Sequence, residues 1–109
     1  PLRVEVVTTD EDHSAQLGEA FAWIGHVRNQ SDDAQTVDIW TVARDPNWEV
    51  IGPIHLWEEV MIEAGQTQTM RMLQTIPLNV ESGDYNYILR VGEYPEYHYE
   101  AYFNFEVIE

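Results

Sequence analysis

A chain of 109 residues, 44% hydrophobic and 12% aromatic, has the size of one domain and enough apolar side chains to bury a core, which excludes intrinsic disorder. Its 20 acidic residues face only five basic ones, all arginine, and the formal net charge of −15 repels phosphate backbones and anionic bilayers; nucleic acid and membrane surfaces are therefore excluded as partners. The absence of cysteine excludes a disulfide scaffold and a thiolate metal site, and no apolar run approaches the ~20 residues needed to cross a bilayer.

The chain opens on strand-like sequence, with Leu2, Val4 and Val6 alternating with Arg3 and Glu5. No signal peptide precedes it, so it reads as a mature or excised domain. Thr8 to Ser14 is polar and reads as a loop. Phe21, Trp23, Gly25 and Val27 then mark a long strand, and Asn29 to Ala34 a polar turn. Val37, Ile39, Thr41 and Ala43 form the next alternating set, with Trp40 and Val42 on the opposite face, and Asp45-Pro46-Asn47 ends it. Ile54 to Ile62 is apolar with acidic interruptions, and Pro53 limits it to an edge or a strand start. Met70 and Met72 lie on a strand closed by Pro77. Tyr85, Tyr87, Leu89 and Val91 follow the turn Ser82-Gly83-Asp84, Gly92 to Glu96 reads as a loop, and Ala101, Phe103, Phe105 and Val107 form the last strand. Short strands at this spacing predict one all-β domain over 1–109, an immunoglobulin-like sandwich of two antiparallel sheets with seven to eight strands. Val27, Ile39, Leu89, Phe103 and Phe105 are expected in its core.

From about Leu17 onward the chain resembles bacterial extracellular immunoglobulin-like modules of large secreted or cell-surface proteins. The likeness rests on the order of Val27-Arg28-Asn29, Thr36-Val37-Asp38-Ile39-Trp40 with Asp45-Pro46, Glu63-Ala64-Gly65-Gln66-Thr67 with Ile76-Pro77, Ser82-Gly83-Asp84-Tyr85, and Val91-Gly92-Glu93-Tyr94-Pro95 with Phe103-Asn104-Phe105-Glu106-Val107. The resemblance implies an extracellular or cell-surface module without an active site. Trp48 to Met61 is more acidic and aromatic than that pattern, and no sorting segment follows Glu109.

The residues themselves point away from catalysis. Ser14, Ser31 and Ser82 lie in polar turns without a nucleophile elbow, and His13, His26, His55 and His98 are scattered. Calcium is the ion best suited to the hard oxygen ligands of Asp10, Glu11 and Asp12; Asp32-Asp33 is a second acidic pair, and both stretches also read as solvated turns. Asn29-Gln30-Ser31 matches a glycosylation sequon and reads as a turn. The tract Tyr94 to Tyr102 places Tyr94, Tyr97, Tyr99 and Tyr102 at the last hairpin, where rigid amphipathic rings suit recognition. Trp23 and Trp40 read as core, and Trp48 and Trp57 as surface candidates at a turn and an edge.

These observations predict a non-catalytic extracellular binding or structural module, with protein or self-association as the expected partnership. Two alternatives stay open: a repeating subunit of a filament or surface layer, donating Leu2 to Val7 to a neighbour's sheet edge, and a carbohydrate-binding module using Trp48, Trp57 and the tyrosines.

Overall fold

Alternation decides which face each strand buries, and hence how the sheets meet. A computed structural model of the chain describes residues 2–9 and 13–109. These form β1 (Leu2–Thr8), β2 (Ser14–Gln16), β3 (Ala20–Asn29), β4 (Gln35–Arg44), β5 (Val50–Ile62), β6 (Thr67–Thr75), β7 (Gly83–Glu93) and β8 (Glu96–Ile108). One sheet has the order β1-β3-β6 and the other β2-β8-β7-β4-β5. All pairings are antiparallel except β2 with β8, which is parallel. The architecture is the expected immunoglobulin-like sandwich with eight strands.

The core lies between the sheets. Val6, Phe21, Trp23, Val27 and Met70 come from the three-stranded sheet. Ile39, Tyr85, Tyr87, Leu89, Val91, Phe103, Phe105 and Val107 face them from the other. All five residues expected in the core are buried. Each such side chain contributes about 1.5–3 kcal/mol through burial. Phe21 anchors the aromatic centre, with its ring centroid 4.2 Å from Phe105 and 5.2 Å from Tyr87. Gly25 interrupts the row on β3 for a steric reason: a Cβ there would come within 2.9 Å of Leu89 Cδ2 and 3.1 Å of the Trp23 ring.

Tyr85 opens β7, and its hydroxyl donates to the Glu81 carbonyl, four residues upstream, at 2.6 Å. This tyrosine corner pins the loop that enters the sheet. Asn29 ends β3 and is fully buried. Its Nδ2 donates to the carbonyls of Asp33 and Ile62, and its Oδ1 accepts from the Ser31 N–H and hydroxyl. The sequon asparagine is thus a satisfied polar node that ties a loop to the end of β5, and its amide nitrogen is not available for a glycan.

Three sequence expectations are corrected. Ser14 begins a strand, β2; alternation over three residues is too short to reveal it. Gly92 to Glu96 is not a loop: only Tyr94-Pro95 turns, and Glu93 pairs with Glu96. The tyrosine tract is therefore mostly the rising arm of a β-hairpin. A bulge lies where Val91 pairs with Tyr99 but Gly92 with Tyr97. Gly92 permits this bulge, because a Cβ there would meet the Tyr97 Cα at 2.9 Å and the His98 nitrogen at 3.0 Å. Trp57 is partly buried rather than fully exposed; its position is described with the candidate site.

Candidate functional site

The outer face of the five-stranded sheet differs from an ordinary solvated face. A second small cluster, Trp40, Val42 and Ile88, is buried on it at 2%, 4% and 1% exposure. Tyr94 covers Trp40 edge-on, with ring centroids 5.1 Å apart. Around this base stand side chains that register places on the same face. Leu56 and Arg90 flank Trp40, Tyr102 lies opposite Ile88, and Asn86 pairs across to Asn104. Arg90 lies 4.1 Å from the Tyr97 ring centroid and forms an ion pair with Glu100 at 3.1 Å. A cation over a ring held by a carboxylate fixes both partners.

Asp38 braces the same face. Its Oδ1 accepts from the Glu59 N–H and its Oδ2 from the Tyr94 N–H, each at 2.9 Å. One carboxylate therefore holds the β5 bulge and the β7–β8 turn together.

The six aromatic candidates separate into three groups. Trp48 lies on the β4–β5 turn and is 76% exposed. Tyr94, Tyr97 and Tyr102 stand on the hairpin side of the outer face, with Tyr102 60% exposed. Asn86, beside Trp48, and Gly92, beside Tyr97, are six residues apart on β7, about 20 Å at strand rise. Tyr99 and Trp57 point the other way and pack against the core. Trp57 pairs with core-facing Ile39, stacks on His55 at 5.7 Å and meets Trp23 at 6.4 Å. Trp57 lies on an edge strand, as Pro53 implies, but its ring faces the sandwich interior.

Trp48 is held by its turn. It adopts φ 67°, a left-handed conformation that bulky side chains seldom take. The Asp45 carboxylate accepts from the Asn47 and Glu49 N–H groups, and the Trp48 N–H donates to the Asp45 carbonyl, all at 2.9 Å. Asn47 Nδ2 donates to Glu81 at 2.9 Å, which ties this turn to the tyrosine corner. The ring overlooks a groove of about 690 Å³ lined by Asp45, Pro46, Gly83, Asp84, Asn86 and Asn104 among others. Asn86 Nδ2 donates to Asn104 Oδ1 at 2.6 Å. The polar half of this groove was missed in the sequence; its signal was an amide at an outward position of two neighbouring strands.

A second, apolar cleft of about 180 Å³ opens between β5 and β6 over Phe21, Ile76, Tyr87 and Phe105. Its polar rim is self-satisfied: Gln74 bonds with His55 at 2.9 Å and with the Thr75 carbonyl at 3.0 Å. The calcium candidates Asp10, Glu11 and Asp12 lie outside the described residues. Among the described residues no three His, Asp or Glu side chains converge as a metal site. The strand proposed for donation, β1, is paired along its whole length with β3, from Leu2↔Asn29 to Thr8↔Trp23.

Comparison with known structures agrees on the fold class, an immunoglobulin-like β-sandwich. The chain is similar to the CARDB domain of a Pyrococcus furiosus protein, solved in complex with di-metal ions, with TM-score 0.72 and 15% identity over 99% of this chain and 88% of that one. It is also similar to a sporulation control protein from Bacillus subtilis, with TM-score 0.69 and 15% identity over 99% of this chain but 49% of that one. A β-glucosidase from Erythrobacter marinus matches with TM-score 0.67 and 14% identity over 99% of this chain and 15% of that one. At such identity the likeness establishes the fold, which recurs as a part of larger proteins. No family model and no curated protein matches the chain.

Proposed function

We propose that this chain is a non-catalytic binding module of a larger extracellular or cell-surface protein, and that it recognises its partner through the outer face of the five-stranded sheet. The observation that carries this reading is the pairing of exposed rings with a rigid base. Trp48 and Tyr102 are 76% and 60% exposed, while Trp40, Val42 and Ile88 beneath the face are buried. Rings on rigid elements lose little entropy on binding, and exposed aromatic clusters mark interaction surfaces. The acidic surface and the absence of cysteine are compatible with an extracellular setting. The recurrence of the fold as a part of larger chains supports the modular part of the reading.

The test is binding to isolated cell-envelope material and to a glycan array, with variants on both faces. Tyr97→Ala, Tyr102→Ala and Trp48→Ala are expected to weaken retention. Thr67→Ala and Arg71→Ala, on the three-stranded sheet, are expected to leave it unchanged. Retention lost only in the latter pair would move the functional surface to the other sheet. Size measurement in parallel separates this module from a self-assembling subunit, which would form long assemblies.

A further inference from the structure

We infer that the groove beneath Trp48 is a binding site for a neutral sugar chain; this deepens the reading of the outer face as the binding surface. The chemistry follows from three features of the groove. Trp48 presents a large flat apolar surface: the residue is 76% exposed, with the Arg44 guanidinium 5.9 Å from the ring centroid. A pyranose offers a matching surface, the patch of C–H groups on one face of its ring.

The groove floor supplies the second feature. Asn86 and Asn104 bond to each other through one N–H and one carbonyl. The pair therefore leaves one carbonyl oxygen and one amide nitrogen without a partner among the described residues, side by side on two strands. Donor and acceptor together suit a hydroxyl, which is both. An apolar partner would leave these groups unpaired, at a cost.

Charge supplies the third. The groove is lined by Asp45 and Asp84, on a chain of net charge −15. Sugars bearing carboxylates or sulfates are repelled. Cationic peptides are attracted by the same charge. Against them stand Arg44, already beside the Trp48 ring, and Asp45, whose Oδ1 already accepts from two backbone N–H groups. The turn needs no reorganisation to present the ring, because Asp45 and the Asn47–Glu81 bond hold it already.

The experiment is a titration of the isotope-labelled 109-residue chain followed by NMR, with the Trp48 indole signal assigned from Trp48→Phe. The probes are cellohexaose, laminarihexaose and chitohexaose, with hexalysine and polygalacturonate as charged counterparts. At least one neutral hexasaccharide is expected to shift the Trp48 indole and the Asn86 and Asn104 side-chain amides, saturating with Kd of about 1 mM or tighter. Trp48→Ala is expected to weaken that binding by about tenfold or more while the core signals stay in place. Asn86→Ala provides a second variant away from the turn.

No saturable shift with any neutral probe overturns the inference. Shifts at Trp48 from hexalysine alone overturn it in favour of a basic peptide. Shifts from polygalacturonate equal to those from neutral sugars remove the charge argument and with it the inference. Sugar-induced shifts confined to Tyr97 and Tyr102 overturn the groove but leave the outer face as the binding surface.

Discussion

The aromatic core contains a polar seam with a consequence for pH. The Tyr87 hydroxyl lies 3.2 Å from Thr41 Oγ1 and 3.3 Å from Gln74 Oε1. Burial holds its pKa well above the usual tyrosine value, and the Thr41 hydroxyl only partly offsets this. The Trp23 indole N–H lies near enough to favour the ionised phenol slightly, yet it is buried without a partner in hydrogen-bond geometry. The folded chain therefore holds the Tyr87 proton more tightly than the unfolded chain does. The stability this contributes is complete below about pH 10, where a free tyrosine titrates, and is lost as pH rises through the folded value. Tyr85 acts in the same direction, raised by burial and then by Asp45 and Glu81. Tyr87→Phe is expected to cost about 1 kcal/mol at neutral pH, through its hydrogen bonds. It should also flatten the alkaline loss of stability. Urea melts between pH 8 and pH 12 followed by circular dichroism measure both effects. Parallel pH slopes for the two proteins would assign the alkaline transition to other groups.

At the scale of elements, most of the sandwich was legible because alternation is a direct record of a half-buried strand. Phe103, Phe105 and Val107 are buried while Asn104 and Glu106 are exposed, as their alternation implies. The rule failed where the record is interrupted. The bulge at Gly92 breaks the period, so a hairpin arm looked like a loop. Along β5, bulges against β4 shift the register between Val37 and Ile39 and between Thr41 and Ala43. Period-two reading could not then show that Trp57 faces inward and Leu56 outward. Trp40 illustrates a different limit. It is buried as expected, but in a cluster on the outer face, because Tyr94 arrives over it from a distant turn. Of the candidate site, Trp48 was legible from its turn. Asn86 and Asn104 were not, since their pairing is a fact of strand register between residues 18 apart in sequence.

At the scale of the molecule, charge is the largest unbalanced quantity. Against a net charge of −15, the described residues form two ion pairs, Arg3–Glu5 and Arg90–Glu100. Self-repulsion on this scale is reduced by screening. Raising sodium chloride from 20 mM to 500 mM is expected to stabilise the fold by about 1 kcal/mol, a rise of about 5 °C in Tm. Scanning calorimetry at the two salt concentrations reads it directly. An unchanged Tm would mean that the acidic side chains are already spaced widely enough to escape one another.

The parallel pairing of β2 with β8 has a mechanical meaning. His13 to Leu17 is joined to residues 106–108 by backbone hydrogen bonds, including Glu106 N–H to His13 at 2.8 Å and Leu17 N–H to Ile108 at 2.9 Å. If the chain is drawn taut by its two ends, β2 is dragged toward its start and β8 toward its finish. Because the strands run the same way, these pulls slide one past the other and load the bonds side by side, where a hairpin would unzip one bond at a time. A tethered copy stretched by atomic force microscopy should therefore break in a single high-force step. Glu106→Pro, which removes the N–H that donates to the His13 carbonyl at an exposed position of β8, should lower that step by more than it lowers Tm. Equal losses of force and thermal stability would show that the clamp lies elsewhere. A module carried within a longer chain would in this way behave as a link that holds under tension.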